Sequence, residues 1–376
     1  MDMIRQWGYP AEKHDVQTED GFILTMFRIP HGRFSDATWW CQRPVVVFFH
    51  ALMASGTEFF LNPPESSLAF LLAEAGFDVF LINHRGTTYS KRHVTLKPTD
   101  NKFWQWTMDE LAKYDSPAAI DAALAISGQK QAYWVGHSMG TTVGYMMLAA
   151  RPNYNDKIKA LFQLAPTGTA AFAVGPIDII FSAYAHLRNL ISVYQRVYGS
   201  HEIAYSLPFL NPTIAKMCLS IPFEWEVRRY AITNLILNNK TSKLQSRAPV
   251  YMANYPAGTS TWNLLHYFQM ASARRIERFD HGSMENLRRY GVEKPPAYDY
   301  GLINVPVYHF WSRSDFIVPR EDMDETIMET LSTHLVKQWI HIAGYNHFDF
   351  ALALNIKEKV AEPIIAAVLK QERGMC

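Results

Sequence analysis

Pro44 opens Val45-Val46-Val47-Phe48-Phe49, five apolar β-formers in a row. A strand with one face in water alternates apolar and polar side chains. An unbroken run suits a strand covered on both faces, as in a parallel sheet flanked by helices. Similar runs return at Phe77 to Ile82, Ala132 to Val135, Ala160 to Leu164, Val305 to Trp311 and Trp339 to Ile342. Helix-like text lies between them. Ser66 to Gly76 is closed by glycine, Asp115-Ser116-Pro117 reads as a cap residue before a first-turn proline, and Met139 to Ala150 follows the strand at Tyr133. A turn at Thr18 to Gly21 and the strand Phe22 to Arg28 make a hairpin at the start. Strand and helix in alternation give an α/β fold with a mostly parallel sheet and right-handed crossovers.

The rhythm breaks from Thr167 to Asn304, where aromatics and prolines accumulate without clean alternation. That stretch is too long for an unstructured loop. It reads as an inserted cap, residues 167–304, on a core made of residues 1–166 and 305–376. The 376 residues are long enough to bury a core without disulfide or metal. Lys plus Arg exceed Asp plus Glu by one, 36 against 35, which points away from nucleic acid and acidic partners. Three cysteines, Cys41, Cys218 and Cys376, exclude a disulfide scaffold. No apolar stretch follows a basic start, so no signal peptide is expected in this chain, and no apolar run is long enough to span a membrane. Asn239-Lys240-Thr241 is the one permitted glycosylation sequon, Pro212 blocking the one at Asn211.

Gly136-His137-Ser138-Met139-Gly140 is G-x-S-x-G with a strand before it and a helix after it. This is the setting of a nucleophile elbow, a turn so tight that residues two before and two after the serine must be small. It lifts Ser138 above the C-terminal edge of the sheet and aims a helix N-terminus at the site. Serine at its free pKa needs a base. His347, in the loop after the last strand, is placed to be that base; His341 lies inside the strand and His334 in the polar stretch before it. Asp315, after the preceding strand, is placed to orient it, with Asp322 and Asp324 as rivals in what reads as the next helix. The oxyanion donors are expected to be the backbone N–H groups of Met139 and of Leu52, in the loop after Val45 to Phe49. This chemistry calls for no metal and no cofactor.

The chain also resembles the acid lipase family of α/β-hydrolases, which includes gastric and lysosomal acid lipases. The resemblance rests on WGYPAEKHDVQTEDGFIL, HALMAS, NPPESSLAFLLAEAGFDVFLINHRGTTYS, MDELAKYDSPAAIDAAL, GHSMGTT, YPAGTS and YNHFDF, spread over nearly the whole chain. It implies an α/β-hydrolase fold with a helical cap, and a triad on Ser138, Asp315 and His347 with oxyanion donors at Leu52 and Met139. It implies neutral-lipid esters as substrates, triacylglycerols and cholesteryl esters, met by a monomer at a lipid–water interface. It also implies secretion or lysosomal residence.

Three departures stand out. Ala51 replaces the family's usual glycine, Met139 replaces a common glutamine and so loses a side-chain hydrogen bond, and Cys218 has no evident partner. A mobile segment within Leu207 to Leu237, carrying Phe209, Phe223 and Trp225 and bounded by prolines, is expected to gate the site without a disulfide. Two other functions fit the residues: an esterase for short soluble esters, and an inert lipid-binding protein on the same scaffold.

Overall fold

The computed structural model describes residues 1–34, 43–174, 183, 186, 191, 197–204, 247 and 250–373. Cys41, Cys218, Cys376, Asn239 and the expected gating segment lie outside them.

The hairpin forms from β1 (Glu12–Gln17) and β2 (Phe22–Ile29), antiparallel in register Glu12 to Arg28. Then follow β3 (Val45–Phe49), β4 (Asp78–Asn83), the short β5 (Arg92–His93), β6 (Ala132–His137) and β7 (Ile158–Leu164). The short strands β8 (Glu202–Ile203) and β9 (Thr259–Ser260) pair with each other in a small second sheet. The main sheet closes with β10 (Val307–Trp311) and β11 (Val336–His341). Its order is β1-β2-β4-β3-β6-β7-β10-β11, with β5 on β2. From β4 to β11 every pairing is parallel. The α/β-hydrolase fold read from the sequence is the fold observed.

The unbroken apolar run has a visible cause. Val45, Val47 and Phe49 pack into one core cluster with Phe80, Trp134 and Met146, while Val46 and Phe48 pack into another with Leu81, Tyr133 and Phe162. Alternate residues of β3 thus enter cores on opposite faces of the sheet, and none of them is polar.

One expected helix start is corrected. Asp115 is not a cap: its backbone is helical, inside a continuous helical stretch that begins at Thr107. Thr107 and Glu110 form a reciprocal capping box there, Thr107 Oγ1 accepting from Asp109 N–H and Glu110 accepting from Thr107 N–H. A wide turn over Leu111–Asp115 leads into Ser116–Ser127, so Pro117 sits where the helix geometry changes. The Asp115 carboxylate instead binds Arg85 N–H and Nε, and Arg85, itself 1% exposed, also reaches Asp20. A buried guanidinium fixed by two carboxylates ties the hairpin turn to the loop after β4 and the helix before β6.

After β9, the helix Thr261–Ala273 is capped by Ser260, whose Oγ accepts from Asn263 N–H at 3.0 Å and donates to Trp106 O at 2.7 Å. A second helix, Ser283–Tyr290, follows. Tyr298 OH donates to Asp109 at 2.5 Å, and Ala257 N–H donates to Met53 O, in the loop after β3, at 2.7 Å. No helix among the described residues is long and apolar enough to cross a membrane.

Candidate active site

Four loops meet at the C-terminal edge of the parallel strands. Register explains the meeting: Phe49 pairs with Gly136, His137 with Leu164, Phe310 with Leu164 and Trp311 with His341. The loops after β3, β6, β10 and β11 therefore start side by side.

Ser138 holds φ 52°, ψ −115°, a conformation that L-residues adopt only under constraint. The flanking glycines make it possible. A Cβ on Gly136 would stand 2.6 Å from Gly140 O, and one on Gly140 would stand 2.1 Å from Phe49 O. The helix Met139–Ala150 begins at once, and the Ser138 carbonyl accepts from Thr141 N–H at 2.8 Å.

His347 Nε2 lies 2.7 Å from Ser138 Oγ. Its Nδ1 lies 2.9 Å from Asp315 Oδ2 and 3.2 Å from Oδ1. Asp315 Oδ1 also accepts from the Ile317 and Val318 N–H groups at 2.9 and 3.0 Å, which fixes the carboxylate. All three side chains are buried. The rivals are held elsewhere. Asp324 pairs with Arg320 at 2.8 Å on the surface. Asp322, the other rival, is fully buried. It accepts from Gly168 N–H, Thr169 N–H and Thr169 Oγ1 at 2.8–3.2 Å, clamping the loop after β7.

Near the serine, neither the Met139 nor the Leu52 N–H donates to another described residue. The loop carrying Leu52 is built from both ends. His50 Nδ1 donates to Ala51 O at 2.8 Å, and its Nε2 accepts from His84 N–H at 3.1 Å, which fixes one tautomer. Burial pushes the His50 pKa down to about 3, so the ring is neutral. Ala51 takes an ordinary backbone conformation; the left-handed residue of the loop is Met53, at φ 58°. The extra Cβ of Ala51 therefore imposes no backbone strain. Met139 Sδ accepts from Asn263 Nδ2 at 3.4 Å, so the thioether does keep a side-chain link, to the helix Thr261–Ala273. An open groove of about 1160 Å³ lined by Asn101, His201, Glu277 and Arg289 touches none of these residues.

The chain is 37% identical over 369 residues to lipase lipl-1 of Caenorhabditis elegans, covering 97% of this chain and 90% of that one. It is 35% identical over 375 residues to the gastric triacylglycerol lipase of Bos taurus, covering 99% and 91%. It belongs to the acid lipase family of α/β-hydrolases. A family model of the partial α/β-hydrolase lipase region matches residues 1–63, and one of the α/β hydrolase fold matches residues 44–184. Among solved structures, a Sulfolobus solfataricus protein covers 96% of this acid lipase family member and 99% of its own chain, with TM-score 0.57 and 14% identity. A thermophilic esterase of Thermogutta terrifontis matches at TM-score 0.50 and 14% identity, covering 96% and 98%. At such identities these two support the fold alone.

Sequence reasoning missed several residues around the site, two of them buried and one, Tyr255, half-buried. Glu58 lies in the short helix Gly56–Phe60 and Tyr255 before β9; Asp349 is two residues past His347. A buried Glu58 in the text SGTEFF carries no pattern of its own. Asp349 could have been found, being part of YNHFDF.

Proposed function

We propose that this acid lipase family member is a serine lipase that hydrolyses the carboxylic ester bonds of neutral lipids, triacylglycerols first and cholesteryl esters as a further class. The observation that carries the reading is the unbroken line Ser138 Oγ, His347 imidazole, Asp315 carboxylate, at 2.7 and 2.9 Å, on a strained elbow at a helix N-terminus. Ser138 attacks the ester carbonyl while His347 Nε2 takes its proton. Asp315 holds Nδ1–H and stabilises the imidazolium. The oxyanion accepts hydrogen bonds from the Met139 and Leu52 N–H groups. His347 then protonates the leaving alcohol, and next removes a proton from the water that releases the fatty acid. The gastric triacylglycerol lipases among its relatives support the substrate class.

In the same reading, residues 167–304 form a cap on the hydrolase core of residues 1–166 and 305–376. The protein acts as a monomer at a lipid–water interface, in a secreted or lysosomal setting.

A fluorophosphonate probe should label Ser138, and the enzyme should turn over emulsified triolein and cholesteryl oleate between pH 4 and 8. No labelling would favour an inert lipid binder. Turnover of dissolved short esters alone would favour an esterase.

A further inference from the structure

Ser138 turns toward His347; the residue before it, His137, turns toward a second set of partners that no step above uses. His137 is 1% exposed. Its Nε2 lies 3.0 Å from the carbonyl oxygen of His347. A carbonyl only accepts, so Nε2 carries a hydrogen. Its Nδ1 lies 3.3 Å from Glu58 Oε2, within ion-pair range but without hydrogen-bond geometry. The Glu58 side chain is completely buried. Its Oε1 accepts from Ala51 N–H at 3.0 Å and its Oε2 from Tyr255 OH at 2.6 Å. Donors on both oxygens favour the carboxylate, and burial makes a lone carboxylate costly. The facing group able to carry the compensating charge is His137.

We propose that Glu58 and His137 form a buried carboxylate–imidazolium pair that positions both halves of the acyl-transfer site. Through Ala51 the pair sets the loop that presents the Leu52 N–H, and through the His347 carbonyl it sets the backbone of the base. Both are positioning residues, and the inference rests on the proposed hydrolase chemistry.

The charged and titratable groups facing His137 come from five places. They are Glu58, Tyr255, Asp315, His50 and His347, whose ring centroid is 5.5 Å away. Burial alone lowers the pKa of His137, but Glu58, the His347 carbonyl and Asp315 outweigh it and hold it above the ordinary histidine value. Burial and Glu58 keep Tyr255 protonated as a donor, and His50 stays neutral. A histidine pKa raised by folding contributes stability that is complete below the unfolded value. That contribution is lost as pH rises through the folded one, so the pair is complete in mild acid and gives way only above the ordinary histidine range.

The test uses four versions of the full chain. With selective ¹⁵N-histidine labelling, wild-type His137, assigned by comparison with His137→Gln, should keep both ring nitrogens protonated to a higher pH than a free histidine. Loss of a ring proton at or below the free-histidine midpoint overturns the pair, and this reading needs no charge-removing variant to fold. Glu58→Gln keeps the shape and removes the charge. On a dissolved short ester its kcat should fall by about 10- to 100-fold with KM nearly unchanged, and its alkaline limb should move to lower pH. Glu58→Asp shortens the side chain but keeps the charge, and should recover kcat above the Gln level. If the isosteric Gln variant outperforms Asp, or matches wild type, the role is packing and the inference fails. Fluorophosphonate labelling of the wild type separates the two readings: an unlabelled Ser138 strikes the hydrolase chemistry, while the nitrogen signals still decide the pair.

Discussion

Ser138 pays in backbone strain for its place above the sheet, at φ 52°. Of the order of 1–3 kcal/mol is stored in such a conformation, held by the strand before it and the helix after it. Ser138→Ala should keep fold and melting temperature while lowering kcat by about 10⁴–10⁶-fold. A variant with half the wild-type rate on a short ester would end the assignment. Gly140→Ala tests the elbow itself. Its new Cβ would fall 2.1 Å from Phe49 O, a backbone atom that cannot swing away. The expected cost is about 1–3 kcal/mol of stability together with loss of activity, read by denaturant melts and ester turnover. Unchanged melts would mean the elbow has slack that the geometry denies.

The loops that follow the strands are held by buried carboxylates in different ways. Asp315 accepts two backbone N–H groups of its own loop and presents its remaining edge to His347. Asp322 is engaged by the loop after β7 through Gly168 and Thr169. Asp322→Ala would leave those N–H groups buried and unpaired, so stability should fall by about 1–3 kcal/mol. Asp324→Ala removes only an exposed pair with Arg320, and should change stability by less than about 0.5 kcal/mol. Urea unfolding of the two variants checks this, and a larger loss for Asp324 would reverse the roles.

Across the whole molecule, the site region is built to tolerate acid. Burial, with the nearby Asp315 charge, raises the Asp349 pKa from 3.8 to about 6, although Asn346 N–H pulls it the other way. A carboxyl whose pKa folding raises binds its proton more tightly in the native state. Its burial cost is therefore relieved as pH falls through about 6 toward 3.8, and is fully present above that window. Asp349→Asn keeps an acceptor for Asn346 N–H and removes the charge. Thermal melts from pH 4 to 8 should show the variant gaining on wild type at neutral pH and matching it near pH 4. The gain is bounded by about 3 kcal/mol, because a tenfold difference in proton affinity between folded and unfolded chain is worth ~1.4 kcal/mol. Parallel curves would remove Asp349 from the acid response.

The sequence by itself determined the fold class, because a strand buried on both faces is mostly apolar. Val45 to Phe49 is such a run, and the two core clusters that divide it are the reason. It also pointed to Ser138, Asp315 and His347 as candidates, because an elbow, a base and an orienting acid each follow a strand in a fixed order. It misread Asp115-Ser116-Pro117 as a helix start and left Asp322 as a rival to Asp315. A carboxylate's local text is the same whether it meets water or a partner far along the chain. Only the tertiary structure decided those fates: Arg85 comes to Asp115 from 30 residues away, and Gly168 to Asp322 from 154. Glu58 reaches Ala51, Tyr255 and His137 from three separate segments, and no local pattern encodes contacts of that range. They form only when the sheet brings the ends of β3 and β6 side by side.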